Sequence, residues 1–301
     1  MTYEILNPSF NRLIIGHARL ERLHSGMRWA EGPVYVPAAK SLLWSDIPND
    51  RIMRFDETDG SVSVFETPCG HQNGHTLDLQ GRVIACEHSG RRVSRLEHDG
   101  RWTTLADSFE GKRLNSPNDV VVKRDGSLWF TDPTYGIDTE YEGHAAQSEI
   151  GASNVYRIDG ETGEVTMVLD DLVRPNGIAF SPDEDLLYVA DTGLTHDPNC
   201  TPKIVAYHVA ADGRSVNRRG VFSTLDKGLY DGFRVDRDGN IWTSAGDAVA
   251  IYASDGTLIG RIPVGETVAN VAFGGYKRNR LYITAQTSLY SIYVNAHPHG
   301  W

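Results

Sequence analysis

Short apolar runs separated by polar turns recur along the chain, and one stretch shows the pattern plainly. In NDVVVKRDGSLWFTD, residues 118–132, an apolar run, an Asp-Gly turn and a second apolar run follow one another. Val120 to Val122 reads as a strand buried on both faces, and a Pro-Asn-Asp turn ahead of it is ordinary chemistry for the start of a strand. DGFRVDRDGNIWTS (231–244) and NGHTLDLQGRVIACE (73–87) repeat the phrase, with Gly126, Gly239 and Gly81 each eight residues beyond Asn118, Asp231 and Asn73. NGIAFSPDEDLLYVAD (176–191) carries one extra turn residue, and EGPVYVPAAKSLLWSD (31–46) and NVAFGGYKRNRLYIT (270–284) are looser copies.

A third strand-like run follows each copy, such as RIMRFD, NVYRID or KIVAYHV, and most copies add a fourth, such as SVSVFE or EVTMVLD. Four antiparallel strands joined by tight turns make one blade of a β-propeller. The copies begin at 31, 73, 118, 176, 231 and 270. The pattern therefore predicts an all-β chain forming one six-bladed β-propeller domain over residues 1–301. The sixth copy has no room for an outer strand. HARLERLH, residues 17–24, is strand-like and otherwise unassigned, so it is expected to supply that strand, latch the ring and cover an open blade edge.

The repeat changes the meaning of one position. At the start of each innermost strand stand Glu31, Asn73, Asn118, Asn176, Asp231 and Asn270. Inner strands surround the central tunnel and begin at the same end of it, so these side chains should converge at one mouth. All six carry oxygen donors and two are carboxylates. Asparagine and aspartate are common before strands, but glutamate has no such turn preference. Amide oxygens that fill coordination sites, with two carboxylates to balance charge, suit a hard divalent cation.

Composition narrows the partners. The net charge of −11 argues against nucleic acid or an anionic membrane. No run approaches a membrane span, and the N-terminus lacks the pattern of a secretory leader. Cys69, Cys86 and Cys200 match no zinc spacing and require no oxidising compartment. A cytoplasmic protein handling small molecules is expected. Neither phosphate-binding glycine loops nor a Gly-x-Ser-x-Gly elbow occur, so nucleotide cofactors and a serine nucleophile are not indicated.

WAEGPVY (29–35), RLNSPNDVVV (113–122), RPNGIAFSPD (174–183), LYVADTG (187–193) and YDGFRVDRDGNIW (230–242) carry a resemblance to the SMP-30/gluconolactonase/LRE family of six-bladed propellers. NGHTLD, CEH, GKRLNSPNDVVV and TDPTYGI are similar to phrases of its bacterial gluconolactonase branch. The resemblance implies that Glu31, Asn176 and Asp231 bind one divalent metal, usually Ca2+, with Zn2+, Mg2+ or Mn2+ as alternatives. Asn118 matches a position that is a metal ligand in some relatives and a substrate contact in others. Arg113 is the candidate for an arginine that contacts substrate in animal relatives.

The implied reaction is hydrolysis of a sugar lactone, an aldono-1,5-lactone such as glucono-1,5-lactone, to its aldonic acid. Asp231 is expected to act as the base, with one oxygen on the metal and the other taking a proton. His75, two residues beyond Asn73, is a rival base near the same mouth. Asn73 and Tyr135 complete the expected substrate contacts. Tyr135 opens an insertion, residues 135–154, that could wall the pocket, with His144, or equally lie at the other end of the blade. THDPNC (195–200) reads as a polar turn, and Asp132 and Asp191 as turn caps. Two other readings are open: a phosphotriesterase-like or other ester hydrolase on the same metal, which would want apolar walls, and a non-catalytic calcium-binding propeller.

Overall fold

The computed structural model describes residues 3–299. Six antiparallel sheets correspond to the six repeats. Their innermost strands are Ala30–Val36, Gln72–Leu77, Val120–Val122, Pro175–Phe180, Phe233–Val235 and Val268–Gly274. Blades 1 to 4 are built in chain order from inner to outer strand. Blade 6 takes its outer strand, Glu21–Ser25, from the N-terminal segment and pairs it with Ser288–Tyr293. The latch thus forms from the second half of the expected segment and runs one residue past its end. A further short strand, Glu4–Ile5, adds a fifth member to blade 5 by pairing with Leu258–Pro263. That addition, like the outer strand Val216–Thr224 of blade 4, had no counterpart in the sequence pattern. No helix among the described residues is long and apolar enough to cross a membrane.

The Asp-Gly turns behave as their sequence requires. Gly126, Gly239 and Gly81 have φ of 84°, 82° and 76°, the left-handed region that glycine enters without steric cost. Blade-to-blade packing is apolar and aromatic. Trp129 of blade 3 meets Phe180 of blade 4 edge to face at 5.5 Å, and Trp242 of blade 5 meets Phe273 of blade 6 in the same way at 5.5 Å. Both tryptophans come from second strands and are fully buried.

At the tunnel the blades touch through backbone. A β-carbon on Gly32 would fall 1.7 Å from the Asn73 carbonyl oxygen, one on Gly74 2.5 Å from that of Asn118, and one on Gly177 2.3 Å from that of Asp231. Each of these glycines follows a column residue and gives way to the next column residue around the ring. Gly74 and Gly177 also donate their amides to the Asn118 and Asp231 carbonyls, at 2.8 and 3.2 Å. Register shifts interrupt the inner strands between Glu31 and Val34, Gln72 and His75, Pro175 and Ile178, and Val268 and Asn270. Bulges of this kind re-aim side chains, here at the column.

The N-terminal segment is stapled to the ring by Phe10, which is fully buried beside Trp242, with ring centroids 6.5 Å apart. Phe10 fills space that only glycine at position 260 leaves open, since a β-carbon there would lie 2.2 Å from its ring. Phe10→Ala is therefore expected to lower the unfolding free energy by about 3–5 kcal/mol in a urea titration. A loss below about 1 kcal/mol would show that the segment lies outside the cooperative unit.

Candidate metal centre and substrate cavity

A cavity of about 220 Å³ opens at the mouth where the inner strands begin, and Glu31, Asn73, Asn118, Asn176 and Asp231 all line it. Five of the six column residues thus converge on one space. Asn270 does not line it; its Nδ2 donates to Glu31 Oε2 at 3.0 Å, so it orients the glutamate from behind. The Gly32 amide donates to the same oxygen. The other positions are as firmly held. Asp231 receives a hydrogen bond from the Asn176 side chain, and its own amide donates to Ser244 Oγ at 2.7 Å. The loop that delivers Asn118 is pinned by the buried Asp132, whose carboxylate accepts the Asn115 and Ser116 amides at 2.9 Å each. Arg91 Nε adds a bond to the Leu114 carbonyl at 2.7 Å. Asp191 caps a matching loop through the Arg174 amide, at 2.9 Å.

Two column carboxylates share this mouth. Burial first, then the nearby Asp119 carboxylate, pushes Glu31 up to about 7. Burial and then Glu31 push Asp231 well above the usual carboxylate range. Like charges confined in a buried space disfavour ionisation in this way, and a dication would relieve both. Asn73 and Asn176 spend their Nδ2 groups on His88 and on Asp231, which leaves each its carbonyl oxygen as an acceptor. Among the described residues no three His, Cys, Asp or Glu side chains form a metal-binding group. Amide oxygens must therefore complete a coordination sphere here, a preference of hard cations. The residues present fit a divalent ion.

Tyr135 lines the cavity and heads the short helix Tyr135–Asp138; its hydroxyl meets Thr195 Oγ1 at 3.1 Å, and the Arg174 guanidinium lies 5.7 Å from its ring centre. The insertion that it opens walls the cavity, and from it comes a residue that sequence reasoning did not single out, Glu142. Burial and then Asp138 raise Glu142 to about 7. Its backbone carbonyl takes a bond from His88 Nδ1 at 3.0 Å, and His88 Nε2 in turn meets Asn73 Nδ2 at 3.1 Å. His144, by contrast, is exposed and pairs with Glu140. Strand pairing could have placed the insertion: Ala30 faces Asp46 and Pro175 faces Asp191, so second strands end where first strands begin. A loop after a second strand must therefore stand over the column. Thr192 and Thr195, after the second strand of blade 4, reach the cavity for the same reason.

Two expectations are corrected. His75 does not face this mouth. It is buried, with Nδ1 2.7 Å from the Gly32 carbonyl and Nε2 3.0 Å from Gln72 Oε1, and it lines a cavity at the opposite end of the inner strands. Burial lowers it to about 4, and with both ring nitrogens engaged it joins blades 1 and 2 instead of serving as a base. Arg113 is exposed on a small hairpin, with Nη2 3.2 Å from the Gly90 carbonyl, and is not part of the cavity. The Lys112–Arg113 strand of this hairpin carries it outward, five residues before Asn118.

Residues 29–287 match the family model of the SMP-30/gluconolactonase/LRE-like region. The chain belongs to the SMP-30/gluconolactonase/LRE family. A gluconolactonase of Zymomonas mobilis is 30% identical over 95% of this chain and 84% of its own length. The pentonolactonase XacC of Haloferax volcanii is 32% identical over 85% of this chain and 81% of its own. A solved gluconolactonase structure from Xanthomonas campestris superposes with a TM-score of 0.90 at 36% identity, covering 98% of this chain and 95% of that one. The family's propeller and the column of donors described above thus occur together in this chain.

His75→Ala is expected to lower the unfolding free energy by about 1–3 kcal/mol, because it strands the Gly32 carbonyl and the Gln72 amide in a buried site. An unchanged denaturation midpoint would contradict the structural role given to it here.

Proposed function

We propose that the chain is a metal-dependent lactonase that opens sugar lactones, aldono-1,5-lactones such as glucono-1,5-lactone, to their aldonic acids. The observation that carries this reading is the make-up of the cavity. Eleven of its thirteen lining residues carry a side-chain hydrogen-bonding group, Trp29 through its indole N–H, and only Leu229 and Val268 carry none. A polyol ring needs such donors and acceptors for its hydroxyls, and the apolar part of the wall can pack against the faces of the ring. The names of the gluconolactonase and pentonolactonase relatives support the same substrate class.

Glu31, Asn118, Asn176 and Asp231 would hold the divalent ion, with Asn270 fixing Glu31 and Asn176 also fixing Asp231. When bound, the ion supplies Lewis-acid polarisation of the lactone carbonyl. Asn73 and Tyr135 bind the sugar hydroxyls from the cavity wall, and Thr192 and Thr195 extend that hydrogen-bonding surface. Asp231 accepts the proton of the attacking water. Calcium fits the oxygen-only donors best. A second reading of the base rests on Glu142, whose carboxylate lines the same cavity and has no hydrogen-bond partner among the described residues. Its raised proton affinity suits general-base work near neutral pH.

Hydrolysis of glucono-1,5-lactone in a pH-stat is expected to cease on chelation and return with added calcium. Glu31→Gln and Asp231→Asn should each abolish ion binding and reduce kcat/KM by roughly 100-fold or more, while paraoxon remains unhydrolysed. Activity that survives chelation would sink the metal-dependent reading. Glu142→Gln separates the two bases: with ion binding intact, a kcat within about threefold of wild type leaves Asp231 as the base, and a loss of about 100-fold transfers the role to Glu142.

A further inference from the structure

Beneath the column one side chain crosses the tunnel. Arg234 lies three residues beyond Asp231; at the same step from the column the other blades carry Val34, Thr76, Val121, Ala179 and Phe273. Its guanidinium donates to the Phe233 carbonyl at 2.8 Å and to the His75 carbonyl at 3.4 Å. His75 belongs to blade 2, which stands opposite blade 5 in a ring of six, so Arg234 spans the bore. Its Nη1 lies 3.6 Å from Asp119 Oδ2.

Asp119 is equally singular. One step beyond the column, blades 1, 2, 4 and 5 have Gly32, Gly74, Gly177 and Gly232, and blade 6 has Val271. Blade 3 alone places a carboxylate there. It is buried; Oδ1 accepts the Val120 amide at 2.9 Å, and among the described residues Oδ2 has no hydrogen bond of ordinary length. After burial, the charge of Arg234 acts most strongly on this carboxylate, and the Asn270 side chain supports it as well. Three carboxylates, Glu31, Asp119 and Asp231, therefore act on one another within the bore, and Glu142 on the cavity wall acts on Asp231 ahead of Asp119. A dication balances two of the three, and the guanidinium balances the third. After burial and Asp119 have raised Glu31, Arg234 acts on it in the opposite sense.

We propose that Asp119 and Arg234 form an internal ion pair that sets the affinity of the mouth for its divalent ion, with Arg234 as a fixed cation beneath it. Both are positioning residues that act on the ion site through charge. This inference rests on the reading of the mouth as a divalent-cation site.

Calcium binding should be titrated calorimetrically on wild type, R234Q, D119N and the double variant R234Q/D119N, with bound ion counted by elemental analysis. Removing the guanidinium is expected to tighten calcium by about tenfold and removing the carboxylate to weaken it by about tenfold, while the double variant stays within about threefold of wild type. Uptake of a second ion by R234Q would equally support the pair, since an ion would then stand where the guanidinium stood. A shift in the same direction for both single variants, or none in either, overturns the inference. A purely structural role predicts weaker binding in both. Should R234Q fail to fold with Asp119 left unpaired, the double variant decides: recovery of the D119N loss supports the pair, and its persistence overturns it. Wild type that binds none of calcium, magnesium, manganese or zinc refutes the cation site itself; wild type that binds with unshifted variants refutes only the pair.

Discussion

The structure depends on how closely the backbones of neighbouring inner strands approach around the tunnel. Gly32, Gly74 and Gly177 each sit where a β-carbon would overlap the backbone of the next column residue. The space left by the missing side chain is filled by that neighbour's carbonyl. In Gly74 and Gly177 the contact is also a hydrogen bond. Side-chain hydroxyls of second strands lock the same positions: Ser45 Oγ donates to the Asn73 carbonyl and Thr131 Oγ1 to that of Asn176, both at 2.9 Å. A donor column held by backbone at three of its junctions resists collapse when its charges repel, and that rigidity makes a preformed cation site possible.

Charge is the second constraint. Burial makes each carboxylate in the bore costly unless something positive faces it. The ring meets this cost in two ways, with an exchangeable ion expected at the mouth and a guanidinium built in below. Amide side chains complete the arrangement without adding charge, and Asn270 and Asn176 each hold a carboxylate through Nδ2. In the proposed arrangement the two charges of the ion and that of Arg234 would offset Glu31, Asp119 and Asp231.

Much of this was legible beforehand because propeller repeats are local. A strand, a tight turn and a second strand leave their period in the apolar pattern, and the recurrence of Asn118 at Glu31, Asn73, Asn176 and Asp231 followed from that period alone. The latch was legible as a deficit, since the sixth copy lacked an outer strand and an unassigned strand-like segment stood at the other end of the chain. Asp132 and Asp191 proved to be loop caps because an aspartate at a strand end has few other uses when backbone amides lie close by.

What the repeat could not decide were directions and long-range partners. His75 shares the inner strand with Asn73, yet the bulge between Gln72 and His75 turns it to a different cavity, where two bonds close around it. Arg113 lies five residues before Asn118, and its loop sends it outward. Glu142 has no equivalent in the other blades, so no period marked it, and only the folded insertion brings it over the mouth. Arg234 read as one more residue of a strand until the ring placed it across from His75. The sequence by itself determined the blades, their number and the column, because those depend on spacing along the chain. Tertiary structure alone decided which side chains meet across the tunnel, because that depends on closure of the ring, which sets residues more than a hundred positions apart within hydrogen-bonding distance.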